Sequence, residues 1–105
     1  MRITDLLKTN KVTFSLEFFP PKTEEGERTL FEETIPKLKR LNPTFSSVTY
    51  GAGGSTRSQT LRIVNRIKKE FSIEAMPHLT CVGSTREMIG EVLEEAYIFT
   101  VERIN

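Results

Sequence analysis

Glu17 stands in Leu16-Glu17-Phe18-Phe19-Pro20-Pro21-Lys22, a carboxylate near the end of a strand-like run that two prolines bring to a stop. Through Val12-Thr13-Phe14-Ser15-Leu16-Glu17-Phe18 apolar and polar residues alternate, so Val12, Phe14, Leu16 and Phe18 share one face and Thr13, Ser15 and Glu17 the other. Parallel sheets and barrels gather ligands and chemistry at the carboxyl ends of their strands, and an acid placed there is a candidate general acid or base. The plainer alternative is a solvated glutamate on a half-exposed strand.

Two other segments carry chemical potential. Gly51-Ala52-Gly53-Gly54-Ser55-Thr56-Arg57 lies between a strand and a helix, where glycines let backbone N–H groups approach an anion and the helix N-terminus favours negative charge. A dinucleotide fingerprint would need glycine at Thr56, and a Walker loop would need a glycine-lysine pair before its hydroxyl residue. A tight turn with Ser55 or Thr56 as helix cap accounts for the segment equally well. His78 is the only histidine; without carboxylate partners it makes no metal site, and none is expected. In a strand, a lone histidine is most often a hydrogen-bonded packing residue. Cys81 is the only cysteine, which excludes a disulfide framework and reads as a buried or half-buried structural thiol. Glu17, the Thr49-Tyr50-Gly51 strand end and His78 each fall near the carboxyl end of a different predicted strand. A parallel fold would therefore gather all three at one rim.

The elements that must position them follow a strand-then-helix rhythm. After the first strand, Glu24 to Leu41 reads as helical with Leu30, Phe31, Ile35, Leu38 and Leu41 on one side. Pro36 interrupts it: either the helix kinks there, or a second helix starts with Thr34 as cap and Pro36 in its first turn. Phe45 to Tyr50 is a second strand, and Thr56 to Phe71 a helix with Leu61, Val64, Ile67 and Phe71 in line and Lys68 outside that line. A third strand runs from Ile73 to about Thr80, with Pro77 predicting a bulge or local distortion. Ser84-Thr85-Arg86-Glu87 then reads as a capping box before a helix burying Met88, Ile89, Val92, Leu93 and Ala96. Val101 to Asn105 reads as the start of a fourth strand.

Strands recurring at the length of a βαβ unit imply a parallel sheet with right-handed crossovers. A small doubly wound sheet and part of a (β/α)8 barrel both fit. Central strands of a doubly wound sheet are apolar on both faces, whereas Thr13, Ser15 and Glu17, and then Glu74, Met76, His78 and Thr80, give one face the polar character of a barrel mouth. The expected fold class is α/β, of the parallel (β/α)8 TIM-barrel type, incomplete: three βα units plus the start of a fourth strand.

Length and charge bound the function classes. The 105 residues suffice for one small domain. With 15 basic and 14 acidic residues, no excess charge points to nucleic acid. Met1 to Lys8 lacks the apolar core of a signal peptide, and no apolar run is long enough to cross a bilayer, so no membrane partner and a cytoplasmic location are expected.

Three segments, Ser15-Leu16-Glu17-Phe18-Phe19-Pro20-Pro21-Lys22-Thr23, Val48-Thr49-Tyr50-Gly51-Ala52-Gly53-Gly54-Ser55-Thr56-Arg57 and Pro77-His78-Leu79-Thr80-Cys81, resemble the methylenetetrahydrofolate reductase family in order and spacing. The resemblance spans nearly the whole chain and about the first third of the family's (β/α)8 catalytic domain, so residues 1–105 are expected to be an N-terminal fragment of such a barrel. Tyr97 to Asn105 is similar to the approach to the family's fourth strand, with Thr100 where a glycine is common. The resemblance implies FAD-dependent reduction of methylenetetrahydrofolate to methyltetrahydrofolate, with NADH or NADPH as reductant, in one-carbon metabolism feeding methionine synthesis. Glu17 matches the general acid that helps open the folate's five-membered ring to an iminium. Thr49 would contact the nicotinamide or flavin region, and Tyr50, Ala52 and His78 would line the FAD site. Full-length members are expected to be homo-oligomers. Two other readings stay open: a truncated, non-catalytic fragment that pairs with another chain, and a small α/β nucleotide-binding module.

Overall fold

Alternation along the first strand segment puts Phe18 in the core and Glu17 on the opposite face, and a parallel sheet forms around that division. In the computed structural model, which describes residues 2–9, 12–50 and 57–104, the order of elements is α1 (Ile3–Thr9), β1 (Ser15–Phe18), α2 (Glu24–Thr29), a π-helical stretch (Leu30–Thr34), α3 (Ile35–Lys39), β2 (Phe45–Val48), α4 (Arg57–Phe71), β3 (Ala75–Pro77) and α5 (Arg86–Ile104). The three strands are all parallel, in the order β1-β2-β3. The protein is thus α/β with a three-stranded parallel sheet. This chain-order arrangement excludes the doubly wound type that begins 2-1-3, while the type that begins 3-2-1 shares it.

One sheet face carries the core. Phe18, Val48 and Ala75 from the strands meet Leu30, Phe31 and Ile35, and then Ile63, Val64 and Ile67 of α4, with Ile73 closing the cluster. Ile63, which falls outside the helical line read from sequence, is fully buried, whereas Leu41 and Leu93, expected inside, are exposed. Arg66 lies 3.7 Å over the Phe31 ring while pairing with Glu70 one turn along α4, so its stem and charge cover the outer side of the core.

Pro36 falls in the first turn of α3, the second of the two alternatives, with Thr34 at the cap position and the backbone helical through the junction. The Ile35 N–H bonds to the Leu30 carbonyl, a five-residue step that opens the helix just ahead of the proline. That widening gives room to a ring that would otherwise press on the carbonyl four residues back, and Thr34 makes no side-chain cap. Caps do form elsewhere: the Thr23 hydroxyl accepts from the Gly26 N–H at 2.9 Å, and the Thr85 hydroxyl accepts from the Met88 N–H at 3.1 Å.

Several expectations are corrected. Pro77 causes no bulge, because its register against β2 is continuous. Glu74 and His78 bond to β2 through their main chains, so Pro77, of opposite parity, would direct its missing N–H away from β2 toward the outer edge of β3, where none is needed. Glu74 does not join the open face: it pairs with Lys68 of α4 at 3.8 Å, and Lys68, with 12% of its side chain exposed, is not an outward-facing lysine. Cys81 is exposed. The predicted fourth strand is absent, since α5 runs on through Ile104. Tyr97 to Ile104 contains neither glycine nor proline, and a helix already nucleated adds a local hydrogen bond with each further residue. A strand would have to forgo those bonds and find a partner at the sheet edge. The short helix α1, with no buried residue, was not apparent from periodicity.

Candidate functional site

The face opposite the core is where the chemistry gathers. Glu17 and Ser47 are direct register partners on β1 and β2, and Met76 of β3 partners Ser47 on its other side. Successive side chains alternate along a strand, so His78, two residues beyond Met76, continues the same face toward the carboxyl end. Its N–H donates to the Val48 carbonyl at 2.9 Å, which extends the pairing one step past the strand and fixes where the ring emerges.

Three side chains from three strands converge there. Ser47 Oγ lies 3.4 Å from Glu17 Oε1, and His78 Nε2 lies 3.5 Å from the same oxygen. Ser47 is buried, whereas the Glu17 and His78 side chains are 51% and 40% exposed. The histidine contact is an ion pair when the imidazole is protonated. A half-exposed carboxyl group held through one oxygen can exchange a proton with a molecule lying over this face.

Helix α4 ties down the two loops that flank the site. Gln59 Nε2 donates to the Pro21 carbonyl at 2.6 Å, and the next residue, fully buried Thr60, donates its hydroxyl to the Thr49 carbonyl at 3.0 Å. The Thr49 N–H donates in turn to the Phe18 carbonyl at 2.9 Å. The ends of β1 and β2 are therefore braced against one helix turn and against each other.

Of the residues singled out in the sequence, Glu17 and His78 are in contact. Thr49 and Tyr50 are half-buried just beyond the last β2 pair, and Ala52, with the Gly51–Gly54 turn, lies outside the described residues. Ser47, Gln59 and Thr60 were not anticipated. The signal for Ser47 was its place two residues before Thr49, on the same parity, but its proximity to Glu17 depends on strand register. Two clefts lie away from this face: one of about 370 Å³ between Pro20–Glu24 and the α4 residues Gln59 and Arg62, and one of about 330 Å³ bounded by Leu6, Val12, Phe14 and Asn42–Thr44. The first is crossed by the Arg62–Glu27 ion pair, and neither holds the convergent acid and imidazole.

The family model described as methylenetetrahydrofolate reductase matches residues 2–104. Methylenetetrahydrofolate reductase (NADH) 1 of Arabidopsis thaliana is 43% identical over 98 residues, covering 90% of this chain and 16% of the relative. The 5,10-methylenetetrahydrofolate reductase of Pectobacterium carotovorum is 42% identical over 85 residues, 81% of this chain and 28% of the relative, and that of Escherichia coli is 41% identical over the same coverage. The chain thus spans less than a third of the length of these relatives. With 103 of its residues inside the family match, this chain belongs to the methylenetetrahydrofolate reductase family.

Proposed function

We propose that the chain contributes three βα units to a (β/α)8 barrel that reduces methylenetetrahydrofolate to methyltetrahydrofolate with FAD and NADH or NADPH, in cytoplasmic one-carbon metabolism feeding methionine synthesis. The observation that carries this reading is the meeting of Glu17, Ser47 and His78 on the open face, at the carboxyl ends of parallel strands, where a barrel places its chemistry. The names of plant relatives that include NADH favour that reductant.

Glu17 is the general acid. It delivers a proton to the folate amine nitrogen as the carbon–nitrogen bond of the five-membered ring breaks, so that the nitrogen leaves neutral and an iminium remains to accept hydride. FAD, when bound, supplies the hydride chemistry. The residues present fit one wall of such a site: His78 keeps Nδ1 available while Nε2 engages Glu17, and Thr49 and Tyr50 stand half-buried at the neighbouring strand end.

The test uses a chimera in which this chain replaces the matching segment of the Escherichia coli relative. Glu17→Gln keeps the shape and removes the acid, so the folate half-reaction should fall by about 10²–10⁴-fold, while flavin reduction by the nicotinamide survives. Stopped-flow measurement of each half separates the two. Equal loss in both would mean that Glu17 merely holds the site together.

A further inference from the structure

A carboxylic acid has two oxygens, and a general acid works only if its proton sits on the one that faces the substrate. On Glu17 the two are not equivalent. Oε1 is approached by Ser47 Oγ at 3.4 Å and by His78 Nε2 at 3.5 Å, and Oε2 has no partner among the described residues. The two neighbours differ as donors. Ser47 is buried within the middle strand and its Cα is locked in register with that of Glu17, so its hydroxyl has a fixed origin. The imidazole is 40% exposed and lies beyond the last strand pair.

We propose that Ser47 is the positioning residue for Glu17: its hydroxyl donates to Oε1 and so leaves Oε2, which has no partner among the described residues, as the oxygen that carries the transferable proton. An oxygen that accepts a hydrogen bond from a fixed donor is the poorer place for the acid's own hydrogen, because two hydrogens would then compete along one edge of the carboxyl group. The Ser47 contact is longer than the roughly 2.7–2.8 Å of a tight O–H···O bond, and catalytic hydrogen bonds commonly shorten once substrate closes the site. Met76, on the other side of Ser47, offers only a thioether, so Glu17 is the acceptor across the strand that the register gives this hydroxyl.

The assignment rests on the reading of Glu17 as the acid, and the experiment keeps the two apart. In the chimera, Ser47→Ala should slow the folate half-reaction about tenfold, the effect of losing one hydrogen bond to a charged or reacting group. Flavin reduction should be unchanged, and Ser47→Thr, which keeps the hydroxyl, should restore the rate to within about threefold. Should the alanine variant not fold, Ser47→Cys keeps the shape with a weaker donor and should give an intermediate loss. Adding Ser47→Ala to Glu17→Gln should produce no further loss, since there is no acid left to orient. If the two substitutions multiply, or if Ser47→Ala slows both halves equally, the positioning role is overturned while Glu17 remains the acid. If Glu17→Gln by itself leaves the folate step intact, the acid reading falls, and the role of Ser47 with it.

Discussion

A carboxylate and an imidazole about half exposed to water attract each other weakly, since exposed pairs contribute only about 0–1 kcal/mol. The contact between Glu17 and His78 therefore gains strength only when something covers the open face and lowers the local dielectric. That makes His78 a residue whose effect should appear on ligand binding before it appears on stability. In the chimera, His78→Ala should weaken FAD retention or shift the flavin potential, whereas Lys37→Ala, on an exposed position of α3, should do neither. Unchanged flavin affinity, spectrum and potential would return His78 to a packing role. Glu17 and His78 were legible in the sequence because residue type and position at a strand end suffice to nominate them. Ser47 was not, because its meaning comes from lying opposite Glu17, and register across two strands is fixed by the packing of Phe18, Val48 and Ala75 beneath them.

At the scale of elements, α4 does two things at once: its apolar side fills the core, and its first turns hold the loops after β1 and β2 through Gln59 and Thr60. Thr60→Val is nearly isosteric and leaves the Thr49 carbonyl without its donor, so it should cost about 1–3 kcal/mol. Removing the hydroxyl of exposed Ser58, as Ser58→Ala, should cost under about 0.5 kcal/mol. Urea midpoints of the two variants in the chimera measure the difference; equal midpoints would show the brace to be energetically idle. The strand and helix rhythm was readable because burial imposes periods of two and of about 3.6. What periodicity could not convey is how local conflicts resolve. Pro36 could kink or restart a helix on paper; it lies in the first turn of α3, and the five-residue step from Ile35 to Leu30 that leads into it needs the neighbouring turns to hold it. Likewise Val101 onward has strand-forming residues, yet without a glycine or proline stop the helical bonds of α5 continue through Ile104.

The whole molecule exposes more surface than its mass warrants. A compact monomer of 12.0 kDa should present about 6,000 Å², and this chain presents 7178 Å². Its radius of gyration, 14.1 Å, likewise exceeds the roughly 13 Å of a compact domain of this length. Helices cover one sheet face, the other carries Glu17, Ser47 and Met76, and Phe19 and Val82 beyond the strand ends are 71% and 68% exposed. β1 and β3 each have one edge without a strand partner among the described residues, and such edges template further pairing. The 105-residue chain by itself should therefore associate at micromolar concentration, and bind FAD negligibly because only one wall of the proposed site is present. Co-expression with the remaining length of the Escherichia coli relative should instead yield a stoichiometric, yellow complex, since on the barrel proposal the strands of that relative would pair both edges and roof the open face. Sedimentation velocity over a concentration series, with flavin absorbance recorded in the same cell, measures both outcomes. A monodisperse monomer that unfolds cooperatively and purifies yellow without that partner would mean that the open face is sufficient unto itself, and the barrel proposal would lose its physical motive.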